Sequence, residues 1–593
     1  MDEERTWDLS ILLNDTSIEG VTRSTDAVIS DLRNAVARLN ESQEKIRANQ
    51  LVKLIQKYET CLERFDTLLL YTYCKHVEDT NAVESQTLGS LFYKLKNEGS
   101  AQDRLFDQIL GDIIKKNPEV IESPELVSYR HQLHKSSQKL PYLLSQVEEE
   151  LVAEKDTNGI SAMSQLQSSW VASQLLDVNI EGKIQQITMN QAFSLAMSEK
   201  RETREEISRK YFGSFASDKL IHGTALQSIC SDHVSMTKRR KWPSYMTQSF
   251  IDQDVDEDTI STLLKTLEEN TQSVQKYIKL KMKHFGYDRL LNYDLRAPWL
   301  SKSPWNRDLS SVKTAIIKAF DRFDEEFGNH VRDLFANRRI DSEDRPGRAG
   351  LGFCASSYEK KTSFVFITYN DTLNDAYILA HELGHGIHSH YMYNNLNILN
   401  GLSFSTCIAE TGSIFGELLL TDQLLRECDS DELRLEILGR ILDRFYSTTF
   451  WISQWTFFEQ RAYEAIENGE ILNADKACEI WRAIRTKIYG DTIEWTENTE
   501  FEWARVANLF FPNFRFYNYS YSFGQLLVFA VYEEYKQGSS NFKERFKRFL
   551  SRGGSMSPRE QIAELGYDIT KPDFWTLGIQ RAEHFMDDLQ KLL

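Results

Sequence analysis

Two histidines and a glutamate lie together in the segment His381-Glu382-Leu383-Gly384-His385. On an α-helix, residues four apart share a face and lie one turn apart, so both imidazoles can bind one metal ion. Glu382 projects about 100° away around the helix, where it can act on a metal-bound water instead of binding the metal. The pattern predicts zinc-dependent hydrolysis with Glu382 as the general base.

The residues before this segment predict how it is positioned. Thr372 followed three places later by Asp375 is typical of a helix start. His381 would then lie two to three turns inside a helix. Two short apolar runs, 351–357 and 363–369, are joined by a charged turn and predict a β-hairpin. The sequence therefore predicts a hairpin that leads directly into the metal-binding helix.

A catalytic zinc ion needs a third protein ligand and keeps one position for water. His388 lies on the same helical stripe but about 10 Å along the axis from His381, so one ion cannot easily bind both. The next predicted helix, 405–418, carries Glu410 and Glu417 on a shared face. Spacing alone leaves both glutamates open as the third ligand.

The residues 381–388, followed by Ala409-Glu410, resemble the thimet oligopeptidase and oligoendopeptidase F family of zinc metallopeptidases. Residues 370–375 are similar to the segment that leads into the zinc helix of oligoendopeptidase F. Residues 142–151 are similar to the N-terminal domain of that family. The resemblance thus covers most of the chain, and its zinc motifs are the most specific part.

The resemblance implies a metallopeptidase with one zinc ion per chain. It selects Glu410 as the third ligand beside His381 and His385, and it leaves Glu417 as a supporting residue, a role that we also assign to His388. The implied fold is mainly α, with two helical lobes around a deep substrate channel and a small β-hairpin next to the zinc helix. The expected substrates are short unfolded oligopeptides, because a narrow channel excludes folded proteins.

One C-terminal segment departs from the family pattern. Family members usually carry a histidine and several tyrosines there, as donors to the oxyanion of the tetrahedral intermediate. This chain has no histidine between residues 391 and 583, and Asn508 stands where that histidine is expected. An amide can still donate a hydrogen bond. Tyr517, Tyr519 and Tyr521 are the candidate oxyanion donors, and the alternative is a tyrosine-rich core segment.

Apolar periodicity predicts how the rest of the chain is organised. A chain of 593 residues is too long for one compact core. Residues 25–240 have a helical pattern, and further helices are predicted at 256–285 and 309–336. We divide the chain into an N-terminal helical lobe similar to that of oligoendopeptidase F, 1–195, and a zinc metallopeptidase catalytic domain, 196–593.

Composition limits the partners and the compartment. The formal net charge of −18 disfavours nucleic acid as a partner. Seven scattered cysteines without a CxxC pair favour a reducing compartment. We find neither a secretion signal nor an apolar run long enough to span a membrane. These features predict a cytoplasmic protein without a membrane partner, and they leave its oligomeric state open.

The predicted function is a zinc endopeptidase, and two other functions compete with it. A zinc carboxypeptidase or dipeptidase of a related helical fold would share the same zinc motifs. An inactive peptide-binding homologue is the second alternative, and Asn508 is the only residue that favours it. A structural zinc site is disfavoured, because neither Cys354 nor Cys407 has a partner at a suitable spacing.

Overall fold

The computed structural model describes residues 5–42, 46–512 and 514–593, and α-helices dominate these ranges. The α-helices are α1 (Ile18–Glu41), α2 (Ala48–Glu78), α3 (Val83–Lys116), α4 (Arg130–Lys139), α5 (Gln146–Asn158), α6 (Ile160–Ser173), α7 (Met189–Leu195), α8 (Arg201–Ser217), α9 (Lys219–Arg240), α10 (Thr247–Gln253), α11 (Glu257–Glu269), α12 (Thr271–Phe285), α13 (Leu309–Phe323), α14 (Glu325–Ala336), α15 (Leu373–Asn395), α16 (Ile398–Leu402), α17 (Thr406–Ala409), α18 (Thr411–Glu427), α19 (Asp431–Tyr446), α20 (Ile452–Glu467), α21 (Ala474–Tyr489), α22 (Tyr519–Lys536), α23 (Phe542–Leu550), α24 (Pro558–Glu564) and α25 (Pro572–Gln590). The strands are β1 (Leu175–Ile180), β2 (Lys183–Thr188), β3 (Leu290–Leu291), β4 (Ile340–Asp341), β5 (Phe353–Ser357), β6 (Thr362–Phe366) and β7 (Ile493–Glu494). The predicted fold class, mainly α with a small sheet, is confirmed.

The chain forms two compact units, and each is built from three separate segments. The first unit consists of Met1–Pro141, Trp305–Glu427 and Glu534–Asp568, and the second of Tyr142–Pro304, Cys428–Glu533 and Ile569–Leu593. The predicted division into 1–195 and 196–593 concerns sequence domains, and it stays a prediction.

The predicted helical pattern of residues 25–240 is largely confirmed, with one exception. Residues 175–188 form the antiparallel hairpin β1–β2, in which Ile180 pairs with Lys183. The two turn residues, Glu181 and Gly182, both have positive φ, as a type I′ turn requires. The helical prediction was wrong here, because Glu-Gly is a weaker turn signal than Asn-Gly or Asp-Gly.

The two longer helices predicted next are helical, but each is divided in two. Asn270 separates α11 from α12. Asp324 separates α13 from α14 with an extended backbone, and its carboxylate accepts a hydrogen bond from the Glu326 N–H. A carboxylate that caps a new helix start competes with continuation of the preceding helix. The apolar periodicity continues across both breaks, so it does not reveal them.

The predicted β-hairpin is present, and it belongs to a three-stranded sheet in the first unit. The strand order is β4-β6-β5, with β5 antiparallel and β4 parallel to β6. Strand β5 is therefore an edge strand of this sheet. Helix α15 begins seven residues after β6, as the sequence predicts.

Within residues 5–42, 46–512 and 514–593, no helix is both long enough and apolar enough to cross a bilayer.

Candidate metal centre and active site

Helix α15 carries both motif histidines, and its start is fixed by a capping box. The Asp375 N–H donates to Thr372 Oγ1 at 3.1 Å, and the Thr372 N–H donates to Asp375 Oδ2 at 3.3 Å. The predicted helix start is thus confirmed. One turn apart on the same face, the rings of His381 and His385 have centroids 4.9 Å apart.

Glycines allow α15 and α18 to pack with their backbones in close approach. A Cβ atom on Gly384 would overlap the carbonyl oxygen of Gly412, and one on Gly416 would lie 2.8 Å from the Ala380 oxygen. Gly384, which is unfavourable inside a helix, is therefore needed for this contact. The approach brings the acidic residues near α18 within reach of the histidines on α15.

The predicted helix 405–418 is interrupted, and this prediction was wrong in detail. Helix α17 ends at Ala409, Glu410 has φ −86° and ψ 8°, and α18 begins at Thr411. Glu410 and Glu417 therefore do not share one face of a continuous helix. They approach His381 at its two different ring nitrogens instead.

His381, His385 and Glu410 form a three-residue cluster with metal-binding geometry. One atom from each lies within 4.8 Å of the other two. Glu410 Oε2 is 3.2 Å from His381 Nε2 and 3.3 Å from His385 Nε2. Burial would raise the pKa of Glu410, but hydrogen bonds from both histidines hold it well below its usual range. Two imidazoles and one carboxylate are a donor set that suits catalytic zinc, so these residues fit the metal.

Glu417 holds the other ring nitrogen of His381. Its Oε1 accepts from His381 Nδ1 at 2.7 Å, and its side chain is only 1% exposed. Because Nδ1 donates to this carboxylate, Nε2 is the nitrogen that faces Glu410 and that could bind a metal ion in place of its proton. Burial lowers the pKa of His381, but hydrogen bonds with Glu410 and Glu417 outweigh it and raise the pKa to about 9.

Glu382 lies next to the cluster but is not part of it. Its side chain is buried, and this burial raises its pKa, although His385 and His381 oppose the rise. A Cβ atom built on Gly352, just before β5, would lie 3.9 Å from Glu382 Oε1. The carboxylate is therefore close to the start of the edge strand and available for proton transfer.

His388 is buried farther along α15 and is outside the three-residue cluster. Its ring packs edge-on against Phe404, with the centroids 5.6 Å apart. Burial, reinforced by the nearby His385, lowers the pKa of His388 to about 4, so its ring is neutral at neutral pH. The supporting role of His388 stays a prediction.

Ser413 is a site residue that the sequence reasoning missed. Its Oγ donates to Glu410 Oε2 at 2.7 Å and so restrains the carboxylate that faces both histidines. Its position three residues after Glu410, on the first turn of α18, is the only available sequence signal. That signal is weak, because serines are common near helix starts.

The predicted oxyanion donors lie in the second unit, where their surroundings differ. Tyr519 is fully buried, and its hydroxyl is 2.9 Å from Ser249 Oγ. Tyr521 is 39% exposed, and its ring packs edge-on against the half-buried Tyr517. The exposure of Tyr521 and Tyr517 makes them better candidates for contact with a ligand than Tyr519.

Asn508 also lies in the second unit, ten residues before Asn518. Its Nδ2 donates to Asn518 Oδ1 at 3.2 Å. The amide of Asn508 is thus oriented by a second amide, and its role in the reaction stays a prediction.

Comparisons with known proteins identify the family of the chain. The model of Peptidase family M3 matches residues 194–581, more than half of the chain. An oligoendopeptidase F homolog of Lactococcus lactis is 24% identical, over 100% of this chain and 98% of the relative. Oligopeptidase PepF of Bacillus subtilis is 23% identical, over 100% of this chain and 87% of the relative.

Solved structures show the same fold along the whole chain. A protein of Chlamydophila abortus, described as a candidate peptidase, matches with a TM-score of 0.88 and 20% identity, over 100% of this chain and 99% of the other. Oligoendopeptidase-F of Enterococcus faecium matches with a TM-score of 0.69 and 20% identity, over 96% and 99% of the two chains. The predicted family resemblance is confirmed: the chain belongs to peptidase family M3, a family of metallopeptidases.

Proposed function

We propose that this protein is a zinc-dependent endopeptidase that hydrolyses internal peptide bonds of short unfolded oligopeptides. The observation that carries the proposal is the convergence of His381 Nε2 and His385 Nε2 on Glu410 Oε2, with Glu417 on the far nitrogen of His381. An incidental histidine on a surface helix would not need a buried carboxylate such as Glu417 hydrogen-bonded to its other ring nitrogen. This arrangement supports the assignment of His381 as a metal ligand and of Glu417 as its supporting carboxylate.

In the proposed site, His381, His385 and Glu410 hold one zinc ion. When bound there, zinc polarises a peptide carbonyl and makes a water molecule more acidic. Glu417 keeps the His381 ring oriented, and Ser413 does the same for the Glu410 carboxylate. Both restraints reduce the side-chain rearrangement that zinc binding requires, and this favours a high affinity for zinc.

Glu382 is the proposed general base. Its carboxylate takes a proton from the attacking water and then passes it to the leaving amine nitrogen. The burial that raises its pKa improves it for this task, because an acid with a pKa nearer neutrality both accepts and returns a proton more readily.

The remaining proposed roles concern substrate alignment and charge stabilisation. An extended peptide adding to the free edge of β5 would gain main-chain hydrogen bonds, and the start of β5 is close to Glu382. Tyr517 or Tyr521 would donate to the oxyanion, an interaction whose removal typically costs about 3–4 kcal/mol.

The test is cleavage of an internally quenched peptide of about ten residues, blocked at both ends. We expect internal cleavage that a chelator abolishes and added zinc restores. Blocked ends separate an endopeptidase from a carboxypeptidase or dipeptidase, which needs a free terminus. Lack of cleavage by zinc-loaded protein would favour an inactive peptide-binding homologue.

Glu382→Gln tests the base in the same assay. We expect the variant to keep its zinc and lose at least about a hundredfold in rate, because the amide cannot accept the proton. Zinc content and rate are measured on the same sample. Near-normal cleavage by this variant would show that Glu382 is not the base.

A further inference from the structure

Three arginine side chains in the second unit, Arg296, Arg485 and Arg505, lie near Glu502. Glu502 forms an ion pair with Arg505 at 3.3 Å, and its charge also acts on Arg296 and Arg485. Glu500 is the other acid near Arg485, but it is already paired with an arginine of its own. Three cationic side chains thus share one buried carboxylate.

Arg296 has no ion pair or hydrogen bond to any residue in the described part of the chain, and it contacts aromatic rings instead. Its Cζ lies 4.2 Å from the ring centroid of Phe193 and 5.0 Å from that of Trp451. The Cζ of Arg505 lies 5.0 Å from the same Trp451 centroid and 5.8 Å from that of Phe193. Two guanidinium groups therefore border the same pair of rings.

The burial of these cations is unfavourable without an anion. Burial first, and then the charge of Arg505, lowers the pKa of Arg296 to about 10. Arg485 is only 3% exposed, and its Nε and Nη1 have no hydrogen-bond partner among the described residues. Unpaired buried charges and adjacent like charges both destabilise a folded chain. An anion bound between Arg296 and Arg505 would pair with Arg296 and offset the repulsion between these two guanidinium groups.

Two other arginines of this unit show the contrast. Arg201 and Arg204 both bind Asp294, at 2.7 and 2.9 Å, and the Asp294 side chain is fully buried. Arg201 and Arg204 thus have a carboxylate of their own within the fold. Arg296 lacks such a partner, which points to a ligand rather than to a role in folding.

The surroundings of Arg296 also fit a binding site. Trp451 ends the π-helical segment Ser447–Trp451 between α19 and α20, and such segments are rare and frequent at functional sites. Phe193 is 42% exposed, so the pair of rings is open to solvent on one side. An apolar side chain of a ligand can pack on this ring.

We propose that Arg296 and Arg505, bordered by Phe193 and Trp451, bind the C-terminal carboxylate of an oligopeptide. Planar guanidinium groups bind carboxylates through paired hydrogen bonds. The choice of a peptide rests on the proposed function. The choice of its C-terminus rests on chemistry, because every unblocked peptide carries that carboxylate whatever its sequence.

The test compares two peptides that differ only at the C-terminus, a free acid and an amide. Binding of each labelled peptide to the zinc-loaded, full-length Glu382→Gln chain is followed by fluorescence anisotropy. We expect the acid to bind about tenfold or more tightly than the amide, as for hydrogen bonds to a charged group. Arg296→Leu should reduce the affinity of the acid to that of the amide and leave the amide unchanged.

Arg289→Leu is the matched control, because this arginine of the same unit is exposed and pairs with Glu494 at 3.0 Å. It should keep the preference for the acid. A peptide amide with an internal glutamate tests whether a side-chain carboxylate can bind instead of the C-terminal one. If this peptide binds as tightly as the free acid and loses that affinity in Arg296→Leu, the C-terminal assignment is overturned.

Equal binding of acid and amide, or a preference that survives in Arg296→Leu, would overturn the proposal as a whole. The acid–amide comparison is made on a chain that keeps both arginines. It therefore tests the proposal even if the Arg296→Leu variant does not fold. It also needs no hydrolysis. If the protein prefers the free acid but cleaves no peptide, only the proposed endopeptidase activity is contradicted. If it cleaves peptides but binds the acid and the amide equally, only the proposed carboxylate site is contradicted.

Discussion

At the scale of single residues, the site depends on side chains that hold other side chains. Glu417 restrains His381 at Nδ1, and Ser413 restrains Glu410 at Oε2. Neither would contact a substrate through these bonds. Both act on the position of a proposed metal ligand, so their loss should change metal affinity before it changes the reaction itself.

We expect Glu417→Gln to weaken zinc binding by about 10- to 100-fold, the usual effect of losing such a partner. An amide keeps the shape of the side chain but accepts a weaker hydrogen bond from Nδ1. The measurement is competition for zinc against a chelator of known affinity. Asp422→Asn, a carboxylate on the same helix that pairs with Lys536, is the control and should leave zinc affinity unchanged. Equal affinity in all three proteins would contradict the supporting role of Glu417.

At the scale of elements, the contact between α15 and α18 determines whether the ligands can meet. We expect Gly384→Ala to lower the free energy of unfolding by about 1–3 kcal/mol, as overpacking typically does, and to impair zinc binding as well. Its Cβ atom would overlap the backbone of α18. Thermal unfolding and zinc content measure the two effects.

Gly213→Ala is the matched control for this substitution. Gly213 also lies inside a helix, α8, but a Cβ atom there would meet nothing within 4 Å. Alanine favours a helix by about 1 kcal/mol over glycine, so this variant should be as stable as the parent or more stable. A similar change of stability in both variants would mean that the close approach to α18 does not explain Gly384.

The same elements show what local sequence determines. The capping box at Thr372 and Asp375 and the hairpin 351–369 depend on neighbouring residues, and both were predicted from the sequence. The break at Glu410 was not, because it depends on the packing of α18 against α15. Spacing therefore identified His381 and His385 but left Glu410 and Glu417 open, whereas the structure assigns each glutamate to a different nitrogen of His381.

At the scale of the whole molecule, chain order and spatial units do not coincide. Each unit combines three segments, and the metal cluster draws on one segment of the first unit. The candidate tyrosines and Asn508 belong to the second unit. Composition and periodicity indicated a helical protein of more than one lobe, but they carry no information about which distant segments share a core.

Zinc should stabilise the folded chain by mass action, because its ligands converge only when α15 meets the α17–α18 junction. Free zinc at 100 times its Kd should contribute about 2.7 kcal/mol, seen as a rise in Tm over the chelated protein. His385→Ala should abolish this rise. His390→Ala, which removes a half-buried histidine of the same helix outside the cluster, should retain it. Because the net charge of −18 attracts cations in general, the comparison is repeated with magnesium, which should not reproduce the rise. An equal rise in the His385→Ala variant would place the stabilising zinc somewhere other than this cluster.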